Sequence, residues 1–146
     1  MLRFSRGLFA TGRSKFLDRV AWHHEPTAKI YVEILFDGLV QTVHAQVDTG
    51  AAWSILSPDL AGEAGIHAEE GRPVILSTRF GLQRGHILRI PFSIVADEGE
   101  SLETEGTFFI SPDWPPRQVF LGYSGLLDSI RFALDPQVND FYFGPY

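Results

Sequence analysis

The stretch that decides the fold is Val43-His44-Ala45-Gln46-Val47-Asp48-Thr49-Gly50-Ala51. Its first five residues contain no acidic or strongly basic side chain and predict a strand, and the Asp-Thr-Gly that follows predicts a turn. Asp48 therefore leaves an apolar strand and not a solvated loop. A plain turn, in which Asp48 bonds its own backbone and Gly50 takes a positive φ, is the alternative interpretation of the same residues.

Short strands and turns are also predicted on either side of this stretch. Apolar residues alternate with others over 30–36, which is the period of a half-buried strand. Asp37-Gly38 predicts a tight hairpin turn, with the next strand resuming at residue 39 and continuing to residue 47. Ser57-Pro58-Asp59 has the residues that begin a short helix.

The rest of the chain predicts further strands and at most one more short helix. Residues 74–80 and 86–95 are predicted as a hairpin around a glycine-bounded tip, Gly81-Leu82-Gln83-Arg84-Gly85. Further strands are predicted over residues 102–110, 119–121, 130–134 and 141–143, with two helical turns over 123–129. The expected fold class is mostly β with one or two short helices.

Composition limits the possible functions. The chain has 146 residues, 45% of them hydrophobic and 21% charged, which suits one globular domain. It has no cysteine, which excludes disulfides and thiol catalysis, and its five histidines show no metal-ligand spacing. A net charge of −6 argues against binding nucleic acid, and no apolar run approaches the length of a membrane span.

The first residues differ in charge from the rest. Arg3, Arg6, Arg13 and Lys15 all precede the first acidic residue, Asp18. This basic, acid-poor leader has the composition of a transit peptide or of a helix on an anionic surface, but also of a frayed tail or an arm that packs on the domain or a partner subunit. We divide the chain into a leader or arm over residues 1–26, whose composition allows flexibility, and a domain over residues 27–146.

The chain resembles the retropepsin-like aspartic proteases. The resemblance is carried by Val47-Asp48-Thr49-Gly50-Ala51, by a glycine-bearing hairpin after it, and by Phe120-Leu121-Gly122 before a short helix and a strand. The order and spacing are those of small bacterial members, from about residue 28 to the C-terminus. The resemblance implies a closed, barrel-like acid-protease fold, with Asp48 as the catalytic residue and Phe120-Leu121-Gly122 threading beside its loop.

Peptide hydrolysis by carboxylates needs two of them in one site, yet the sequence has one Asp-Thr-Gly. The resemblance therefore implies a homodimer in which each chain supplies one Asp48. Thr49 would bond across the dimer, Gly50 would support Asp48 through its N–H, and Ala51 would complete the loop. Phe80-Gly81-Leu82-Gln83-Arg84-Gly85 would form the flap over the substrate.

The expected function is thus an aspartic endopeptidase that cleaves polypeptides and needs no cofactor or metal. One alternative is a non-catalytic peptide-binding or dimerisation module on the same fold. Another is a protease held inactive by its leader in the cleft and released by self-cleavage near Thr27. No secretory signal is visible, so the expected location is the cytoplasm, although the basic leader leaves targeting open.

Overall fold

Short strands make up most of the chain. The computed structural model describes residues 3–4, 7–19, 24–25, 27 and 29–146. Over these residues the strands are β1 (Arg3–Phe4), β2 (Gly7–Leu8), β3 (Gly12–Lys15), β4 (Ile30–Phe36), β5 (Val43–Val47), β6 (Ser54–Leu56), β7 (Arg72–Thr78), β8 (Gly81–Ile94), β9 (Glu98–Gly99), β10 (Leu102–Ile110), β11 (Val119–Leu121), β12 (Arg131–Asp135) and β13 (Asp140–Gly144). The helical segments are α1 (Pro58–Glu63) and two 3₁₀ turns, Ala68–Glu70 and Leu127–Ser129. The prediction of a mostly β fold with short helices is confirmed.

The main sheet has seven strands in the order β10-β6-β11-β5-β4-β8-β7. β10 also pairs antiparallel with β8, from Leu102 opposite Ile94 to Ile110 opposite His86, so the sheet closes into a ring. β11 lies between β5 and β6, parallel to the first and antiparallel to the second. A strand from the C-terminal third of the chain therefore separates the strands before and after Asp48.

The inner faces of these strands form an aromatic core. Ile34, Phe36, Phe92 and Phe108 are almost fully buried, as the alternation along β4, β8 and β10 requires. The rings of Phe36, Phe92 and Phe108 lie 5.6–5.7 Å apart between centroids, at angles from tilted to edge-on. This spacing is typical of favourable aromatic packing.

A second sheet of four strands, in the order β12-β13-β3-β9, includes part of the leader. In β3, Arg13 lies opposite Tyr142 of β13 and Glu98 of β9. Residues 12–15 thus form one strand of this sheet, paired with β13 and β9. Pro26 lies outside the described residues, so the boundary between residues 26 and 27 stays a prediction.

The connection between β4 and β5, which begins with Asp37-Gly38, is longer than predicted. β5 begins at Val43 and not at residue 39, and Val40 is fully exposed in the connection. The Leu39 N–H donates to the Phe36 carbonyl at 3.0 Å, which closes a turn instead of continuing the ladder. The prediction of a strand over residues 39–42 is wrong.

The predicted tip of the second hairpin is also wrong. Residues 81–85 do not form a loop but begin β8, paired with β7 from Gly81 opposite Thr78 to Gly85 opposite Val74. The turn is Arg79-Phe80, and Gly81 follows it with φ +99°, a conformation that favours glycine. Gly85 serves packing, because a Cβ there would lie 2.7 Å from the Phe109 ring and closer still to a backbone carbonyl.

Candidate active site

Asp48 is the first residue after β5, and β11 fixes its backbone. The Asp48 N–H donates to the Leu121 carbonyl at 2.9 Å, which extends the parallel pairing of Val47 with Leu121 by one residue. The side chain is half-buried. The aspartate is therefore held at a strand end and not on a free loop.

The turn that follows uses one oxygen of the carboxylate. The Gly50 N–H donates to Asp48 Oδ1 at 3.1 Å, and the Ala51 N–H donates to the Asp48 carbonyl at 3.2 Å. Gly50 does not have the positive φ of the plain-turn interpretation. Within the described part of the chain, Asp48 Oδ2 and the hydroxyl of exposed Thr49 have no hydrogen-bond partner.

Gly122 allows β11 to pass next to the loop after Asp48. A Cβ at this position would lie 2.7 Å from the Ser54 nitrogen and closer to the Trp53 carbonyl group. The Gly122 N–H donates to Ser54 Oγ at 2.9 Å in a fully buried site. Sequence reasoning missed Ser54, although a lone hydroxyl in the apolar run over residues 53–56 is a usable signal.

Two further backbone bonds join the loops on either side of this crossing. The Tyr123 N–H donates to the Ala51 carbonyl and the Ser124 N–H to the Ala52 carbonyl, both at 2.8 Å. The loop after Asp48 is thus bonded to the segment after Gly122 along its length. The two motifs that carried the resemblance form one hydrogen-bonded unit.

The hairpin of β7 and β8 is bonded to this unit away from its tip, where Arg89 Nη1 of β8 donates to the Gly125 carbonyl at 2.6 Å. Phe80 and Leu82 are 72% and 73% exposed, and Arg84 is exposed as well. Gln83 is half-buried, and its Oε1 is buried with no partner among the described residues. No hydrogen bond or ring contact over the described ranges connects residues 79–85 with the loop after Asp48.

The clearest electrostatic cluster lies in the second sheet. Lys15 Nζ and Arg13 contact Asp140 Oδ1 at 2.6 and 2.9 Å, and Arg13 also pairs with Glu98. Hydrogen bonds from Lys15 and then Arg13 hold the pKa of Asp140 below its usual value. These contacts join β3 of the leader to the C-terminal strand β13 and do not involve Asp48.

In the described residues, no helix has the length and apolar character needed to cross a membrane.

Comparisons with known proteins identify the family and the fold of this chain. The model of a family described as aspartyl protease matches residues 32–124, which include both Asp48 and Gly122. A search of curated proteins finds no match. Solved structures that match include the crystal structure of a retropepsin-like aspartic protease from Rickettsia conorii, which is 16% identical with a TM-score of 0.58 over 89% of this chain and 97% of that chain. Because the family model covers most of the chain, this protein belongs to the aspartyl protease family, and its fold is retropepsin-like.

Proposed function

We propose that the chain is an aspartic endopeptidase that acts as a homodimer, with one Asp48 from each chain. The observation that carries this proposal is the position of Asp48, a half-buried aspartate at the end of β5 in a loop bonded to the segment after Gly122. One carboxylate cannot act as both acid and base in the same step. A two-fold axis next to Asp48 would supply the second from an identical site.

The dimer would divide the two roles between its aspartates. Two carboxyl groups at hydrogen-bonding distance cannot both stay ionised, so the pair holds one proton. The ionised Asp48 takes a proton from a bound water, and the water oxygen attacks the carbonyl carbon of the scissile peptide bond. The protonated Asp48 gives its proton to the carbonyl oxygen, which forms a tetrahedral diol. As the C–N bond breaks, the first Asp48 passes the proton taken from water to the amine nitrogen, and the second Asp48 regains a proton from a hydroxyl of the diol.

The hydrogen bonds of the loop around Asp48 support this mechanism. The Gly50 N–H holds one carboxylate oxygen, which leaves Oδ2 to face a water or the second carboxyl group. Thr49 is exposed, and its hydroxyl is available for a bond to the partner's loop. Ala51 and the Phe120-Leu121-Gly122 strand hold the loop in place through the backbone bonds described above.

We assign the flap to the hairpin of β7 and β8, with Arg79-Phe80 as its tip in place of the loop over residues 81–85. The exposed apolar side chains of Phe80 and Leu82 suit a segment that closes over a polypeptide and excludes water. Gln83 has a buried, unpaired amide oxygen, which could accept a hydrogen bond from a substrate backbone once movement of the hairpin exposes it.

Replacing Asp48 tests the proposal directly. Asp48→Asn keeps the size of the side chain and should leave the dimer folded, but it should abolish cleavage of an unfolded polypeptide. Asp37→Asn is the matched control, because Asp37 likewise follows directly on a strand, β4, at the start of a turn, but lies in a hairpin away from β11. Undiminished turnover by Asp48→Asn would refute the mechanism, and a strictly monomeric mass in sedimentation would refute the dimer.

A second candidate is a peptide-binding or dimerisation module without activity. The hydrogen bond from Gly50 to Asp48 Oδ1 favours it, because this bond already caps the carboxylate within one chain. A module would bind an extended peptide along a strand edge and release it uncut. The native chain separates the two candidates, because only the protease yields shorter products from a bound peptide.

A further inference from the structure

A pocket of about 460 Å³ opens on the outer face of β4, β5 and β11. β5 is the strand that leads to Asp48. Gln46 lies two residues before Asp48, so both side chains leave the strand on the same side. The register puts Tyr31 of β4 and Phe120 of β11 on either side of Gln46. All three residues line the pocket, and Asp48 follows the lining residue Gln46 by two positions along the chain.

The pocket has an apolar floor and a polar rim. Leu60, Val119 and Phe120 contribute to the floor. The rim carries two cations, one histidine and neutral polar groups, among them Lys29, Arg117, His44, Tyr31 and Gln46. No aspartate or glutamate of the described residues lines the pocket. The lining thus carries positive formal charge, although the whole chain has a net charge of −6.

The donors on this rim differ in how far they are already used. Arg117 pairs with Glu63 at 2.8 Å, so part of its charge is neutralised. Lys29 Nζ and the Gln46 amide have no hydrogen bond or ion pair within the described ranges. Burial raises the pKa of Tyr31, which keeps its phenol protonated and able to donate. Lys29 is thus a cation available to a ligand.

We infer that this pocket is a subsite for an acidic side chain of the polypeptide, with glutamate fitting best. A glutamate carboxylate only accepts hydrogen bonds, and Lys29 Nζ, the Tyr31 phenol and the Gln46 amide can all donate. The methylene groups of the glutamate would pack on Phe120 and the apolar floor. The inference rests on the proposed function only in taking a polypeptide as the ligand.

Peptide binding tests this subsite without any need for catalysis. The full chain carrying Asp48→Asn is titrated into fluorescent peptides that move a single glutamate along an uncharged sequence, with a glutamine peptide as reference. At one position, glutamate should bind about two- to fivefold tighter than glutamine, the range expected for an exposed pair of charges. The preference should fade in 1 M salt, where charges are screened beyond roughly 3 Å.

Two variants locate the preference. Lys29→Gln should abolish it, while Arg3→Gln should keep it, because Arg3 is an exposed cation of β1 that lines neither the pocket nor the proposed flap. Equal binding of the glutamate and glutamine peptides at every position would overturn the inference, as would a preference that survives Lys29→Gln.

Cleavage by the native chain then separates the subsite from the protease. Products cut next to glutamate would support both. Cleavage without regard to charge would overturn the subsite alone. A glutamate preference in binding without any cleavage would refute the protease and leave an acidic-peptide site.

Discussion

Replacing Gly122 by alanine should disrupt the close approach between the end of β11 and the start of β6. The new Cβ would lie 2.7 Å from the Ser54 nitrogen and closer to the Trp53 carbonyl group, and both are backbone atoms that cannot rotate away. Overpacking of this kind costs about 1–3 kcal/mol. A shift that also separates the Gly122 N–H from Ser54 Oγ adds roughly 1–3 kcal/mol for the unpaired donor. Together the two contributions give an expected loss of about 2–6 kcal/mol of unfolding free energy.

Gly62→Ala is the matched control. Gly62 lies inside α1, and a Cβ there meets nothing within 4 Å, so alanine should stabilise the helix by about 0.5–1 kcal/mol. Thermal unfolding of both variants at one protein concentration measures the difference, at roughly 2–4 °C per kcal/mol for a chain of this size. If Gly122→Ala proved as stable as Gly62→Ala, close contact would not be the reason for glycine at this crossing.

Three further changes test other parts of the structure. Ser54→Ala should cost about 1–3 kcal/mol in urea unfolding, because it leaves the buried Gly122 N–H unpaired; no loss would mean that water replaces the hydroxyl. Phe108→Ala should cost about 3–5 kcal/mol by removing the centre of the aromatic core, and a cost below about 1 kcal/mol would contradict that packing. Asp140→Asn should lower stability above about pH 5, where the native carboxylate is ionised, and the difference from the native chain should shrink as the pH falls below about 4. The folded pKa of Asp140 lies below its unfolded value, so its contribution is lost on acidification; a pH-independent difference would show that Lys15 does not act through charge.

Activity should also depend on pH in one direction. Because one Asp48 of the proposed pair must stay protonated, turnover should be faster at acidic than at alkaline pH. Initial rates with one uncharged peptide over a pH series measure this. A flat profile would argue against a shared proton.

The local sequence pattern correctly predicted the strands that are flanked by clear turn residues. β4, β10 and β11 begin and end where the sequence places them, because each is an alternating or apolar run next to a clear turn. The position of Asp48 at a strand end followed from the same reasoning. Strand ends are visible in the sequence when hydrophobicity changes abruptly.

The predictions that failed concern residues whose roles depend on contacts with residues far away in the sequence. Gly85 suggested a turn, but it is required by the Phe109 ring, which belongs to another strand. Tyr31 and Gln46 were not predicted as site residues, because alternation assigns them only to the outer face and does not say that this face carries a pocket. Ser54 was missed because its partner, Gly122, is distant in sequence.

The insertion of β11 between β5 and β6 has a consequence for how the molecule is made. During synthesis, residues 43–56 leave the ribosome well before residues 119–121, so Asp48 lacks its Leu121 partner until most of the chain has emerged. Contacts between such distant segments also make folding slow. In a nascent chain, the loop around Asp48 would therefore lack its partner strand. Any peptidase activity would arise only in the finished polypeptide.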